Sequence, residues 1–361
     1  MRFGLLIYGQ LADQSGGYLY DRQLVEHLRA HGHQVNIISL PWRSYARHLA
    51  DNLDQSLYRR LRDLDVDILL QDELNHPSFF DINPRLRDEV AYPIISIVHH
   101  LRSSEQHPAA LLPLYRAVER RYLRSVDGFI FNSATTQGVV NDLLGEQKPS
   151  VVAMPAGDRL GADISEGAIR TRAHQSGPLR VVFLGALIPR KAPHLVLQAL
   201  STLSEGQAQA YIVGSPDADP GYARGLRQMH RILNLGAQVQ FTGHLAPSEL
   251  AELLANCHLL VLPSSYEGFG IAYLEGMAFG LPAIGTTVGA AGDLIQDLHN
   301  GFLIEPGDHQ ALTELLAELH RNRQQLSAMG ISARRRFPQH PGWEESMATA
   351  RHFLEDYNHP T

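Results

Sequence analysis

Two glutamates, Glu267 and Glu275, stand eight residues apart across the glycine-rich turn Gly268-Phe269-Gly270. Glycines let a backbone come close to a ligand, and a helix starting near Ile271 aims its first amides at the same spot, a natural seat for phosphate. Glu275 falls about one turn inside that helix, where a carboxylate can accept paired hydrogen bonds from vicinal sugar hydroxyls. Carboxylates at this spacing also arise by chance in helices, and Glu267 suits a plain helix start. The context favours chemistry: the apolar run Leu259-Leu260-Val261-Leu262 precedes the pair, and Gly280-Leu281-Pro282 closes the helix. Strand, glycine turn, helix and two carboxylates describe a site for a nucleotide sugar.

A second constellation follows the strand Val181-Val182-Phe183-Leu184, in Gly185-Ala186-Leu187-Ile188-Pro189-Arg190-Lys191-Ala192. Two cations at a helix start oppose its dipole, and a bound diphosphate would reverse that penalty. Arg190 and Lys191 are therefore candidate phosphate ligands rather than solvated surface charges. The loop Gln14-Ser15-Gly16-Gly17 opens the first long helix and suits either a phosphate or sugar contact or an ordinary tight turn. It is not a GxGxxG fingerprint, so a dinucleotide is not supported. His99-His100 ends the strand Ile94 to Val98, where one ring can meet a substrate hydroxyl while its neighbour packs. Asn132-Ser133 and Pro155-Ala156-Gly157-Asp158 end later strands and suit lining, capping or turn roles alike. The series Arg116, Arg120, Arg121 and Arg124, with Glu119, reads as a solvated helix face, or as a contact for an acidic acceptor or lipid headgroup. No HExxH or Cys/His cluster is present, so no metal site is expected.

Short apolar strands alternating with amphipathic helices position these residues, the pattern of parallel α/β sheets. In the first half strands are expected at Phe3 to Tyr8, Val35 to Ser39, Asp67 to Leu70, Ile94 to Val98, Gly128 to Phe131 and Ser150 to Ala153. Helices are expected at Tyr18 to His31, Ser44 to Leu64, Ala109 to Ser125 and Ala134 to Leu144. The second of these carries Leu49, Leu53, Leu57, Leu61 and Leu64 as a core stripe. A loop from Pro155 to Pro178 separates this half from a second series of strands at Leu179 to Leu184, Ala210 to Val213, Gln238 to Phe241, Leu259 to Leu262, Ala283 to Gly285 and Gly301 to Ile304. A helix near Gln310 to Met329 closes that series, and a last one runs from about Trp343 to Tyr357, beyond a Pro/Gly break. The expected domains are 1–160 and 161–340, with 341–361 crossing back to the first and ligand binding in the cleft between them.

At 361 residues, 44% of them hydrophobic, the chain can fill two cores. The net charge of -7, with neither half positive, argues against a dedicated nucleic-acid binder. The single cysteine, Cys257, excludes an intramolecular disulfide and reads as a core residue. Met1 to Tyr8 reads as a strand and not an export signal, and no apolar run approaches the roughly 20 residues needed to cross a bilayer. A cytoplasmic protein is expected.

These motifs resemble the retaining glycosyltransferases of the GT-B fold, family 4, over nearly the whole chain and most closely from Leu179 to Asp308. Leu262 through Glu275 and on to Pro282 is similar to that family's Glu-x7-Glu signature, and Val213-Gly214, Phe241-Thr242-Gly243 and Asn300-Gly301-Phe302-Leu303 fit as well. The resemblance implies two Rossmann-like domains and a nucleotide-diphosphate sugar held mainly by the second. A glycan, lipid-linked or small-molecule acceptor would be held mainly by the first, with weak membrane contact as an option. It assigns Glu275 to the ribose, and Glu267, with Gly268, Phe269 and Gly270, to the transferred sugar. Arg190 and Lys191 go to the diphosphate without a divalent metal or other cofactor, Gly16 and Gly17 to the donor phosphates, and His99 to the reacting sugar. This chain departs from the family pattern at Ala186, where arginine is common, at Ala192, where glycine is, and at Ala156, where asparagine is. The expected activity is hexosyl transfer. A sugar-nucleotide epimerase or phosphorylase of the same fold, and a two-domain protein that closes on a ligand without chemistry, are the alternatives.

Overall fold

A computed structural model describes residues 1–13 and 15–358; Gln14 of the glycine loop and the last three residues lie outside the described residues. The chain divides into two compact units, Met1–Pro155 with the segment from Trp343, and Ala156–Gly342.

The first unit is built on strands β1 (Arg2–Tyr8), β2 (Gln34–Leu40), β3 (Ile68–Asp72), β4 (Ile94–Val98), β5 (Gly128–Phe131) and β6 (Ser150–Val152). They pair in parallel in the order β2-β1-β3-β4-β5-β6. Residues of β3, β4 and β5 are buried throughout, as expected for strands covered by helices on both faces. The order reverses between β1 and β3, and the crevice at such a switch point, beyond the carboxyl ends of the strands, is where α/β sheets bind ligands. Helix α1 (Gly16–Ala30) leaves the end of β1, capped by the Ser15 hydroxyl, which accepts from the Tyr18 amide.

The single helix expected over Ser44 to Leu64 is two, α2 (Tyr45–Asp51) and α3 (Gln55–Arg62). Asp54 breaks the run because its carboxylate caps α3 through the Ser56 and Leu57 amides. The leucine stripe is broken with it: Leu57 and Leu61 are buried, whereas Leu53 in the break is 79% exposed. Short helices α4 (His76–Phe79) and α5 (Ile82–Leu86) follow β3, and α6 (Leu112–Ser125) and α7 (Ala134–Leu144) flank β5. Arg116, Arg120, Arg121 and Arg124 are exposed, but Glu119 lies on the buried face of α6.

The second unit has strands β7 (Leu179–Leu184), β8 (Ala208–Val213), β9 (Val239–Gly243), β10 (Leu259–Val261), β11 (Ala283–Thr286) and β12 (Gly301–Ile304). Their order is β12-β11-β10-β7-β8-β9, again parallel throughout, with the switch point between β7 and β10. The Lys191 loop follows β7 and the Glu267 loop follows β10, so both leave the sheet at that point.

The stretch from Pro155 to Pro178, expected as loop, contains helix α8 (Glu166–Ala173), capped by the Ser165 hydroxyl. Its Arg172 is buried and donates to the carbonyls of Ala255, Phe279 and Gly280, so one guanidinium satisfies the ends of two helices. Those helices belong to the series α9 (Pro193–Thr202), α10 (Pro220–Ile232), α11 (Pro247–Asn256), α12 (Ile271–Ala278) and α13 (Ala291–Leu294). The helix expected over Gln310 to Met329 is again two, α14 (His309–Arg321) and α15 (Arg323–Arg336), because Asn322 leaves helical geometry and caps α15 through the Gln325 amide. The last helix, α16 (Trp343–Asn358), belongs to the first unit. There Ser346 donates to the Met154 carbonyl and Tyr357 to that of Asp127.

Candidate active site

In the second unit Lys191 reaches across the β7/β10 switch point. Its Nζ lies 2.5 Å from Glu267 Oε1, which also accepts from Ser264 Oγ at 2.6 Å. The Glu267 side chain is 4% exposed and that of Lys191 19%. Burial would raise the Glu267 carboxyl, but Lys191 and Arg190 outweigh it and hold the group below the usual carboxylate range. Arg190 donates through Nη1 to the Tyr266 carbonyl at 2.8 Å, while its own carbonyl accepts from the Ser265 amide. The two loops are thereby tied by main chain as well as by charge.

The loop after β11 closes on Glu267 from the other side. Ala290 donates to the Glu267 carbonyl at 2.8 Å, and Gly289, at φ +73°, passes so near that a Cβ there would stand 2.1 Å from that oxygen. Ala192, where the resemblance led us to note a missing glycine, is held at φ 51° and is 3% exposed. A left-handed alanine costs about 1–2 kcal/mol, and the helix α9 behind it maintains the turn that delivers Lys191.

Glu275 sits on α12, whose N-cap is Gly270 at φ 92° with no side-chain acceptor. A Cβ on Gly270 would stand 2.4 Å from the ring of Tyr273, so only glycine allows the turn to fold back on that tyrosine. Glu275 is 3% exposed, and burial raises its carboxyl while Arg159 works in the opposite sense. Arg159 Nε is 2.5 Å from Glu275 Oε1. Gly157 makes this contact possible: a Cβ there would fall 2.8 Å from the Glu275 amide. Phe269 is buried, its ring 5.6 Å from that of His340.

In the first unit His99 follows β4 and packs against α1. Its Nε2 is buried 3.4 Å from Asp21 Oδ1, and its ring meets Tyr20 edge to face at 5.3 Å. Asn132 fixes its main chain, donating to the His99 carbonyl at 2.7 Å, while Ser133 caps α7. Gly17 owes its size to this ring, because a Cβ would stand 3.1 Å from His99 Cδ2. Gly16, the first residue of α1, is exposed. His100 turns elsewhere, with Nε2 2.9 Å from Glu105 Oε1.

Residues 167–336 match the model of the family described as glycosyl transferases group 1, a span that holds Arg190, Lys191, Glu267 and Glu275. Over that span the chain is similar to the group 1 glycosyl transferases. Among curated relatives it is 26% identical over 267 residues to a glycogen synthase of Mycobacterium tuberculosis, a match covering 73% of this chain and 63% of that enzyme. It therefore spans less than two thirds of that relative's length. Among solved structures, sucrose-phosphate synthase from Thermosynechococcus elongatus superposes with a TM-score of 0.82 at 19% identity, covering 99% of this chain and 98% of that one. Anabaena HepE in complex with UDP-glucose gives 0.74 at 18% identity, covering 99% of each. The fold is GT-B.

The structure joins Lys191 to Glu267 and places Glu275 one helical turn beyond the glycine bend, all in the second unit. Gly17 and His99 lie together in the first, with the exposed Gly16 opening the same helix. Sequence reasoning missed Arg159, Asp21 and Asp72. Arg159 is 116 residues from its partner, one position beyond the Pro155-Ala156-Gly157-Asp158 turn. The spacing of acids and histidines also concealed three groupings, His27 with His31 and Glu344, Asp21 with Asp72 and His99, and Glu73 with His76 and Glu119. In the last of these His76 has both ring nitrogens engaged, Nδ1 at the Glu73 carbonyl and Nε2 at the Tyr45 hydroxyl, which suits a structural histidine better than a metal ligand. No helix among the described residues is long and apolar enough to cross a membrane.

Proposed function

We propose that this chain is a retaining, metal-independent hexosyltransferase that takes its sugar from a nucleotide diphosphate. The observation that carries the reading is the Lys191–Glu267–Ser264 cluster at the β7/β10 switch point, leading through a glycine bend into the helix that bears Glu275. The same arrangement lies inside the family match. In HepE the bound ligand is UDP-glucose, a donor of the chemical class this site suits.

The roles follow from charge. Cleavage of the anomeric bond leaves a nucleoside diphosphate with added negative charge, and Lys191 and Arg190 stabilise that charge most in the transition state. Supplying two fixed cations is the support for a reaction without a divalent metal. Glu275 accepts from the ribose hydroxyls and Glu267 from the transferred sugar, with Gly268, Phe269 and Gly270 forming the wall between them. Binding a diphosphate draws Lys191 away from Glu267, which frees that carboxylate for sugar hydroxyls. Gly16, Gly17 and His99 contribute from the first unit, His99 as a donor to the sugar or its phosphate. The acceptor supplies its own hydroxyl as nucleophile, and no protein nucleophile is assigned.

Thermal shifts with UDP, GDP, ADP and their sugar conjugates, followed by donor turnover with and without chelator, test the reading, since a ligand that binds the native state stabilises it. Stabilisation by one nucleotide family, turnover surviving saturating chelator, and a product that keeps the donor's anomeric configuration by NMR are the expected outcomes. Loss of turnover restored only by metal, or an inverted product, would overturn the mechanism. A cytoplasmic site of action fits one buried thiol and the absence of a membrane-crossing helix among the described residues. Fractionation tests it, with recovery in the membrane pellet showing contact with lipid.

A further inference from the structure

The carboxyl end of the first unit's sheet holds charge that the mechanism above does not use. Asp21, on α1, is fully buried, and neither of its side-chain oxygens has a hydrogen-bond partner. Asp72, at the end of β3, is buried as well and caps the short turn behind it through the Leu74 amide. His99 Nε2 is buried and unpartnered, 3.4 Å from Asp21 Oδ1. One interacting atom from each of the three side chains lies within 4.8 Å of the others. A desolvated carboxylate with no donor is costly, and His99 Nε2 stands 3.4 Å away as a donor to it.

We propose that Asp21, backed by Asp72, is the positioning residue that holds His99 as an imidazolium with Nε2 turned inward, so that the outer edge of the ring offers its second N–H to an anionic or hydroxyl group of the ligand. The geometry fixes the direction of the ring. Nε2 is shielded, so the 11% exposure of the side chain belongs to the rest of the imidazole. Tyr20 packs edge to face on the ring, Asn132 ties down the main-chain carbonyl, and Gly17 leaves room for the Cδ2 edge. The titratable groups facing His99 are Asp21 from α1 and Asp72 and Glu73 from the end of β3. Burial lowers the proton affinity of His99, but these three acids outweigh it and raise the ring to about 8. A metal ion held by the same three side chains is the competing occupant, and it would require an unprotonated ring.

The ligand's identity rests on the glycosyltransferase reading, whereas the ion pair does not, and the experiment separates them. Histidine ring signals are followed by NMR between pH 5 and 9 in the full-length protein, with His99 assigned from H99Q. In the wild-type protein His99 is expected to titrate above about pH 7, and addition of zinc is expected to leave its signals unmoved. In D21N its midpoint is expected to fall by about one unit or more, a tenfold loss of proton affinity. Donor turnover in D21N is expected to drop about tenfold at pH 8 and less at pH 6, in kcat and not in KM. Should D21N fail to fold, D72N is expected to move the midpoint the same way by less, and the wild-type titration stands alone. A His99 midpoint below 6.5 in the wild-type protein, an unmoved midpoint in D21N, or stoichiometric zinc bound at His99 overturns the ion pair. Wild-type turnover in H99Q would instead remove His99 from the reaction and with it the assigned ligand.

Discussion

In the second unit each glutamate of the candidate site faces a cation, Lys191 at 2.5 Å from Glu267 and Arg159 at 2.5 Å from Glu275. The first unit, built on a similar parallel sheet, gathers Asp21, Asp72, Glu73 and Glu119 at less than 3% exposure, and there Glu73 pairs with His76 and Asp21 with His99. Burial pushes Asp72 and Glu119 up to about 7 and Glu73 to about 8. The same architecture therefore carries two electrostatic designs. Lys191 and Arg190 outweigh burial and hold Glu267 below the usual carboxylate range, and a ligand that brings its own charge can part the pair. Asp72, Glu73 and Glu119, desolvated by burial, keep their protons to higher pH.

The sharpest way to break this contrast is to remove one partner of the buried pair. Lys191→Ala leaves Glu267 desolvated and alone, and it is expected to cost about 3 kcal/mol in chemical denaturation and at least about a hundredfold in donor turnover. The double variant Lys191→Met with Glu267→Leu should recover most of the stability and none of the turnover. A Lys191→Ala protein with native stability would show that the pair is not held in solution.

Glu275→Gln removes the charge facing Arg159 while keeping one acceptor oxygen. It is expected to weaken nucleotide binding by about tenfold, roughly 1.4 kcal/mol, as read by calorimetry, with little loss of stability. Arg159→Ala separates the ion pair from the ligand contact. Were both variants to bind nucleotide as the wild type does, Glu275 would not be the ribose acceptor.

The response to pH should differ between the units in sign. His258, buried in the second, accepts from the Arg180 amide at Nδ1 and meets the Arg172 carbonyl at Nε2. Burial, with Arg180 adding to it, pushes this ring down to about 3. The unfolded chain takes up a proton near pH 6.5 and the folded one only near 3, so stability falls as pH drops through that window. Asp72, Glu73 and Glu119 run the other way. They are protonated in the folded chain up to about 7 or 8 and only to about 4 in the unfolded one, so the stability they contribute is lost as pH rises through that range. Hydrogen exchange at pH 7.5 and 5.5 is expected to show β7 and β10 losing protection relative to β3 and β4 on acidification. Parallel changes in the two sheets would remove the distinction.

The smallest effect concerns Ala192, whose φ of 51° suits glycine. Ala192→Gly is expected to raise stability by about 0.5–1 kcal/mol and to leave turnover intact. Destabilisation would show that the methyl group's packing outweighs its backbone strain.

All twelve strands were legible in the chain, because a buried parallel strand is a short apolar run whose pattern is local. So were Lys191, Glu267 and Glu275, since each lies just past such a run and the spacing of the two glutamates is set within one loop and helix. Where sequence reading erred, a polar cap interrupted an otherwise continuous pattern, at Asp54 and Asn322, or a short helix hid in a polar stretch, at α8. What only the tertiary structure decided is which charges meet. Lys191 finds Glu267 across 76 residues, Arg159 finds Glu275 across 116, and His99 takes Asp21 while His100 takes Glu105. Hydrophobic periodicity determines where a strand ends. It does not determine which strands become neighbours, and in this fold the adjacency of β7 and β10 is what brings Lys191 to Glu267.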